Sequence, residues 1–216
     1  MRVGRVDAKD EELLSPDSKA WQEAPVNEVV LSPTPLEMQP TEYIRVVRDG
    51  RPYGVLSSMK VSALHNGNSV FFHLVWQDGS EDGPIKDINQ FADAAAVMFP
   101  MVEDAPLIGM GIKGKPVNVW LWRADWERAK NVAAEGMGTT VRRDDPALSS
   151  AARHTDGQWD LIVARSLNGK GAPQGTVALA PGTVTKIAFA VWQGSEQERA
   201  GLKAFSPDWQ ELELDA

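Results

Sequence analysis

A methionine between two glycines is the first residue in this sequence whose type and setting could do chemistry. Met110 stands in Ile108-Gly-Met-Gly111, and Pro100 and Pro106 precede it. Proline and glycine keep the backbone out of a helix, and glycine lets another group approach closely. A thioether presented on such a loop either fills a hydrophobic core or binds a soft metal ion. From the residues alone, core filling is the favoured interpretation, because methionines that touch a core are common and metal-binding ones are rare.

Three histidines are the other obvious candidates for metal binding. His73 lies in the apolar run from Phe71 to Trp76, which favours a hydrogen-bonded core histidine. His65 precedes the turn dipeptide Asn66-Gly67, and His154 stands next to Arg153, so we expect a turn position and an exposed position.

The absence of cysteine from all 216 residues excludes several kinds of site. Disulfides, thiolate-held iron–sulfur clusters, cysteine zinc sites and haem attached through Cys-x-x-Cys-His all need this residue. Catalysis by the chain alone also lacks motifs, since we find no nucleophile elbow, no glycine-rich phosphate loop and no His-x-x-x-His pair.

The charge and hydropathy of the chain restrict its partners. A net charge of −8 without a cluster of Lys and Arg argues against nucleic acid, because phosphate binding needs concentrated positive charge. No run of about 18 apolar residues is present, so we predict no membrane span. The first residues carry no apolar segment typical of a signal peptide.

The positions of the strands follow from short runs rich in β-branched and aromatic residues, separated by turn dipeptides such as Asp49-Gly50 and Asn66-Gly67. Many short strands with such turns predict a mainly β protein, an antiparallel β-sandwich with a few short helices. We expect an irregular N-terminal arm over residues 1–20 that contacts a partner, and one sandwich domain over residues 21–216. Further expectations are a strand at 43–47, a short helix within 85–98 that passes into a strand near Ala96, and a helical turn or two within 125–135.

Several motifs together resemble a known family. They are Ala96-Val-Met-Phe-Pro100, Met110-Gly111, Pro116-Val-Asn-Val-Trp-Leu-Trp122, Lys186-Ile-Ala-Phe-Ala-Val-Trp-Gln-Gly-Ser195 and Glu198-Arg199. This combination resembles the haem b-binding γ subunits of molybdenum enzymes related to ethylbenzene dehydrogenase, among them dimethylsulfide dehydrogenase, selenate and chlorate reductases and steroid C25 dehydrogenase. The similarity extends from about Trp21 to the end of the chain.

The resemblance implies one haem b held in a sandwich of the DOMON type, with methionine and lysine as axial ligands. Met110 matches the Met-Gly of the family, and Lys186 lies in an apolar run where Ala188 and Ala190 are small enough to leave room for a macrocycle. A lysine binds iron only as the neutral amine and must therefore be desolvated. The alternatives are Met101 for the methionine, Lys170 for the lysine, and His73 if the lysine assignment fails.

The resemblance also implies a place in an assembly. The chain would be the electron-transfer γ subunit of a heterotrimer with a molybdenum-cofactor α subunit and an iron–sulfur β subunit, and it would pass electrons to an external cytochrome-type acceptor. Without a signal of its own, it would reach the periplasm together with a signal-bearing partner. The eight tryptophans also suit an alternative, a carbohydrate-binding sandwich without haem.

Overall fold

The computed structural model describes residues 1–39 and 41–216, and for Val47 it describes the backbone alone. Most of the regular structure is extended. The strands of this described part are β1 Arg2–Arg5, β2 Asn27–Val30, β3 Ser32–Pro33, β4 Ser58–His65, β5 Ser69–Gln77, β6 Ala94–Pro100, β7 Val117–Arg123, β8 Lys130–Ala134, β9 Val141–Arg143, β10 Leu148–Thr155, β11 Gln158–Ser166, β12 Val184–Trp192, β13 Ala204–Phe205 and β14 Gln210–Leu214. The α-helices are α1 Asp10–Leu13, α2 Lys19–Glu23 and α3 Glu42–Arg48.

The strands form two packed layers that are joined at one side. Their hydrogen-bonded order is β10-β11-β5-β4-β1-β14-β12-β6-β7-β8-β9. Neighbouring strands are antiparallel except around β1, which runs parallel to both β4 and β14. The first layer is centred on β5 and the second on β6. The prediction of a mainly β, antiparallel sandwich is confirmed.

The core between the layers is aromatic. Alternate residues of each strand point inwards, so that Phe72 of β5 meets Phe99 of β6 and Trp120 of β7, with ring centroids 5.9 Å from Phe72 in both pairs. All three side chains are fully buried. Burying each such side chain contributes about 1.5–3 kcal/mol, which makes this core the main source of stability.

The outer faces of the two layers differ in what covers them. On the first layer, Leu13 and Trp21 from α1 and α2 pack over Phe71 and Ile162. On the second layer, the outer face is also apolar but is built from smaller residues. Ala96, Ala190, Val119 and Val132 form its floor, and loops rather than helices surround it. The candidate site lies on this face.

Residues 1–20 were predicted to form an irregular arm, but they contain regular structure, so this part of the prediction is wrong. β1 lies between β4 and β14, and Val3 is fully buried. Met1 donates from its ammonium group to the carbonyl of Glu211 at 2.6 Å. The domain boundary predicted at residue 21 therefore does not correspond to a break in the sheet. Contact of this segment with a partner stays a prediction.

Three local predictions are also wrong. Residues 43–47 belong to helix α3, whose first turn is capped by the Thr41 side chain. The short helix predicted within 85–98 is absent because the buried Asp93 carboxylate accepts backbone hydrogen bonds from Asp82 and Gly194, which ties this segment to two loops. The strand predicted near Ala96 is present as β6. The predicted helix at 125–135 is replaced in its second half by β8, which pairs with β7 and β9.

Candidate functional site

A cavity of about 720 Å³ opens on the outer face of the second layer. Strands β6, β7, β8 and β12 supply its apolar floor, with Ala94, Val119, Leu121, Val132 and Trp192 among the lining residues. Loop segments around residues 34–39, 108–110, 137–142 and 198–203 form the walls. A smaller space of about 50 Å³ adjoins it, floored by Ala96 and Ala190. The whole is a deep apolar recess over small side chains.

Met110 lines both spaces, and its loop holds it there. Its backbone is left-handed, with a φ of 56°, and Gly111 follows with a φ of 80°. The Met110 N–H donates to Leu107, and its carbonyl accepts from Gly136 at 3.0 Å. At Gly111 a Cβ atom would lie 2.6 Å from the carbonyl oxygen of Lys115, so only glycine fits. The expected role of the two glycines and the prolines in presenting Met110 agrees with this geometry.

Lys203 also lines both spaces, and sequence reasoning missed it. It lies just before β13, between the buried residues Leu202 and Ala204. Its Nζ is 5.1 Å from the centroid of the Trp192 ring and 3.5 Å from the carbonyl oxygen of Ala200. Desolvation lowers the pKa of its amine to about 8. A lone lysine flanked by Leu202 and Ala204 was the only sequence signal that could have found it.

Lys186 does not line the cavity. It lies on the same side of β12 as Ala190, but four residues earlier, which corresponds to about 13 Å along a strand. Its Nζ donates to the carbonyl of Glu103 at 3.0 Å. The structure therefore brings Met110 together with Lys203 and not with Lys186, and axial ligation by Lys186 stays a prediction.

The three alternative residues lie elsewhere as well. Met101 packs against the core between the layers. Lys170 is exposed on the loop after β11. His73 lies on the outer face of the first layer, where its Nε2 is 3.1 Å from Asp160 Oδ1 and burial lowers its pKa. Among the described residues, the cavity lining contains no histidine.

Two further methionines line the large cavity, Met38 and Met137. Met137 is 56% exposed. Neither reaches the smaller space, whereas Met110 lies where the two spaces meet and packs against the apolar floor. Met98 of β6 also lines the smaller space but does not line the large cavity, so among the described residues Met110 is the methionine that lines both spaces.

One part of the wall is basic. Arg123 and Arg142 line the cavity beside Trp126, and Lys130 stands over the same indole ring. Arg199 lines another part and stacks on Phe91, with its guanidinium carbon 4.3 Å from the ring centroid. The basic groups leave the deep, apolar part of the recess to Met110 and Lys203.

A buried carboxylate holds the loop that carries Lys203. Glu198 is 1% exposed and accepts hydrogen bonds from the backbone N–H groups of Gly54 and Gln193. Burial raises the pKa of this carboxyl. Since both backbone partners fix it in place, Glu198 serves as an anchor for the 194–203 loop.

Other kinds of site find no support in the part of the chain that the structure describes. Residues 1–39 and 41–216 contain no cluster of three or more His, Asp or Glu side chains that could hold a metal ion. The helices within these same ranges are all too short or too polar to cross a bilayer.

Comparison with models of known protein families shows to which family the chain belongs. Residues 18–148 and 137–204 match the family model described as ethylbenzene dehydrogenase. The chain belongs to the ethylbenzene dehydrogenase family. The resemblance stated from the motifs is thereby confirmed, and it covers nearly the whole described fold.

Individual proteins with similar sequences support this family assignment. The chain is 35% identical to the chlorate reductase subunit gamma of Ideonella dechloratans, over 92% of this chain and 78% of that protein. It is 29% identical to the dimethylsulfide dehydrogenase subunit gamma of Rhodovulum sulfidophilum, over 90% and 72%. A Haloferax mediterranei protein with the provisional name respiratory nitrate reductase heme subunit is 33% identical over 90% of this chain, which spans 66% of that protein's length.

Solved structures share the fold at low sequence identity. A family 9 carbohydrate-binding module from Caldicellulosiruptor kristjanssonii, solved with glucose, superposes with a TM-score of 0.53 over 100% of this chain and 95% of its own, at 9% identity. The superposition shows that the two proteins share the sandwich architecture. Because the sequence identity is so low, it carries no information about ligands.

Proposed function

We propose that this member of the ethylbenzene dehydrogenase family is the electron-transfer γ subunit of a molybdenum and iron–sulfur oxidoreductase, and that its cavity binds one haem b. The observation that carries the proposal is that Met110 and Lys203 line the same apolar recess. The gamma subunits among the relatives support the role in an assembly.

The residues that line the recess fit a haem. Its volume of about 720 Å³ falls within the range of roughly 300–1,000 Å³ that is usual for cofactor and ligand pockets. The small side chains of Ala94, Ala96 and Ala190 are part of the apolar lining and leave room for a planar macrocycle. Arginines at one part of the wall can meet carboxylates. When bound, haem b would supply an iron that takes up and releases one electron.

In this proposal, Met110 and Lys203 would be the residues that hold the haem iron. A thioether favours ferrous iron and raises the reduction potential. An amine binds iron only when it has lost its proton, and desolvation already lowers the pKa of Lys203 to about 8. Lys186, the ligand predicted from the resemblance, donates to the Glu103 carbonyl outside the recess, so we favour Lys203.

The chain's own side chains have a positioning role in this function. The apolar floor excludes water, Glu198 anchors the Lys203 loop, and the Gly111 turn fixes Met110. Transfer of an electron needs neither a general base nor a nucleophile in this subunit, which agrees with the lack of a catalytic motif in its sequence.

The proposal extends to partners and location. We infer an α subunit with a molybdenum cofactor, a β subunit with iron–sulfur clusters, and an external cytochrome-type acceptor. The site of action would be the periplasm, reached by export together with a signal-bearing partner subunit. The substrate would bind to the α subunit, so this chain does not select it.

Absorption spectroscopy of the purified complex tests the proposal. Both the oxidised and the dithionite-reduced complex should show a Soret band, and the reduced complex should also show sharp α and β bands. Extraction into alkaline pyridine followed by reduction should identify haem b. Metal analysis of the same sample, for molybdenum and for iron beyond the haem, controls for complete assembly. A fully assembled complex without a Soret band would overturn the haem proposal, and glycan binding by such a sample would favour the carbohydrate-binding alternative.

A further inference from the structure

We propose that Trp126 and three cations around it, Arg123 and Arg142 in the cavity lining and Lys130 on the same ring, bind the two carboxylate side chains of the haem. The four residues are called the Trp126 cluster below. The inference rests on the proposed function and adds an orientation to it, because it states which part of the recess takes the acidic edge of the cofactor.

The cluster is defined by distances to a single ring. Lys130 Nζ is 4.4 Å from the centroid of the Trp126 indole, and the guanidinium carbons of Arg123 and Arg142 are at 5.0 and 5.5 Å. Cations attracted to the face of a tryptophan gain electrostatic energy from the ring quadrupole. One ring therefore gathers three positive charges on a protein whose net charge is −8.

Three strands hold the cluster at the cavity. Arg123 ends β7, Lys130 begins β8, and Arg142 lies in β9 opposite Val132, a residue of the cavity floor. Arg123, Trp126 and Arg142 all line the cavity. Because β7, β8 and β9 are neighbours in the sheet, the fold itself brings the charges together.

Two of the three charges in the cluster have no carboxylate partner among the described residues. Asp125 binds Arg123, with oxygens 2.8 and 2.9 Å from its Nε and Nη2. In residues 1–39 and 41–216, neither Lys130 nor Arg142 forms an ion pair with a carboxylate. Like charges this close repel one another, so an added anion would be attracted to the site. Guanidinium groups suit a carboxylate in particular, since their N–H donors match its two oxygens.

The Trp126 cluster and the axial residues occupy different parts of the recess. Met110 and Lys203 line both the large cavity and the small space, whereas Arg123, Trp126 and Arg142 line the large cavity alone. A molecule with an apolar body and two carboxylates on one edge would therefore lie with that edge at the Trp126 cluster. Haem b is a molecule of this kind.

The proposal is tested by titrating the haem-free full chain with two ligands. One is ferric haem b, and the other is the same haem esterified at both carboxylates. Arg142→Gln should weaken binding of haem b by about tenfold or more, the size expected for a hydrogen bond to a charged group. The same variant should leave the affinity for the diester unchanged. Raising the salt concentration should weaken haem b binding more in wild type than in Arg142→Gln.

Arg143→Gln is the matched control, because Arg143 is the next residue of β9, is exposed and does not line the cavity. It should bind both haems as wild type does. Far-ultraviolet circular dichroism and thermal unfolding verify that each variant is folded.

The outcomes separate this inference from the proposed function. If haem b binds to wild type, Arg142→Gln and Arg143→Gln equally, the Trp126 cluster is not the carboxylate site and the haem proposal stands. An equal loss of haem b and diester in Arg142→Gln, or a selective loss in Arg199→Gln instead, also overturns the inference. If neither the chain nor the assembled complex takes up haem, the proposed function itself is wrong.

Discussion

Met110 and Lys203 reach the same cavity from opposite ends of the second layer. β6 and β12 pair antiparallel, with Ala94 opposite Trp192 and Met98 opposite Ala188. The loop that follows β6 carries Met110 and the loop that follows β12 carries Lys203, so the two loops leave the sheet at opposite ends. In the proposed function, each of these two loops would supply one of the residues that hold the haem iron.

Replacement of the two competing lysines distinguishes them. Lys203→Ala should abolish the low-spin spectrum of the bound haem, because the sixth ligand is lost, whereas Lys186→Ala should retain it. Near-infrared magnetic circular dichroism and electron paramagnetic resonance of the oxidised complexes measure this change. The reverse result, with Lys186→Ala high-spin and Lys203→Ala unchanged, would establish the ligand first predicted from the resemblance.

The three methionines of the large cavity allow a parallel comparison. Met110→Ala should lose the thioether ligand and lower the midpoint potential, because a thioether stabilises ferrous iron. Met38→Ala and Met137→Ala are the controls from the same lining, and both should keep the wild-type spectrum. Redox titration followed at the α band gives the potential, and a wild-type potential in Met110→Ala would exclude Met110 as a ligand.

The pH dependence of haem binding should report the proton on Lys203. The pKa of its amine is lowered from 10.5 to about 8 by desolvation, so below that pH the ammonium form must lose a proton before iron can bind. The apparent affinity should fall by about tenfold for each pH unit below 8 and level off above it. Titration of the haem-free chain between about pH 6 and pH 9 measures the slope. Lys203→Met, which binds iron without releasing a proton, should abolish it.

The fold was predictable because its determinants are local. Turn dipeptides and short apolar runs gave the sandwich and the positions of β5, β7, β11 and β12. The failures have tertiary causes. Thr41 caps a helix where the residues Tyr43 to Val47 favoured a strand, and the Asp93 carboxylate prevents a helix by binding two loops.

The site was predictable only in part. Met110 could be found because glycines, prolines and a family motif all converge on one loop. The half-buried position of Lys203 at the cavity could not be predicted, since it depends on the packing of β13 against β12 and on the Glu198 anchor, and neither is visible in the residues around it. Alternation with Ala188 and Ala190 predicts the face of β12 on which Lys186 lies, but it does not give the distance along the strand between Lys186 and the cavity.

The buried carboxyl of Asp93 should make stability depend on pH. Burial is the main cause that raises its pKa from 3.8 to about 7, and the nearby Asp78 raises it further. The folded state therefore holds a proton that the unfolded state has already released, so the free energy of unfolding should decline from about pH 4 to about pH 7 and then level off. Asp93→Asn should flatten this decline. Urea unfolding of the haem-free chain across this range measures it, and an unchanged slope in the variant would assign the dependence to other groups.

A pair of glycines separates backbone strain from close packing in the Met110 loop. Gly111 and Gly114 have nearly the same φ, 80° and 83°, but a Cβ at Gly111 would meet the Lys115 carbonyl at 2.6 Å and one at Gly114 would meet nothing within 4 Å. Gly114→Ala should lose about 1–2 kcal/mol of unfolding free energy through the left-handed backbone alone. Gly111→Ala should lose a further 1–3 kcal/mol or so from the forced contact. Because Gly111 adjoins Met110, Gly111→Ala should also weaken haem binding, whereas Gly114→Ala should not. Titration of the folded variants with haem measures this difference. Equal binding by the two variants would mean that this turn does not position the thioether.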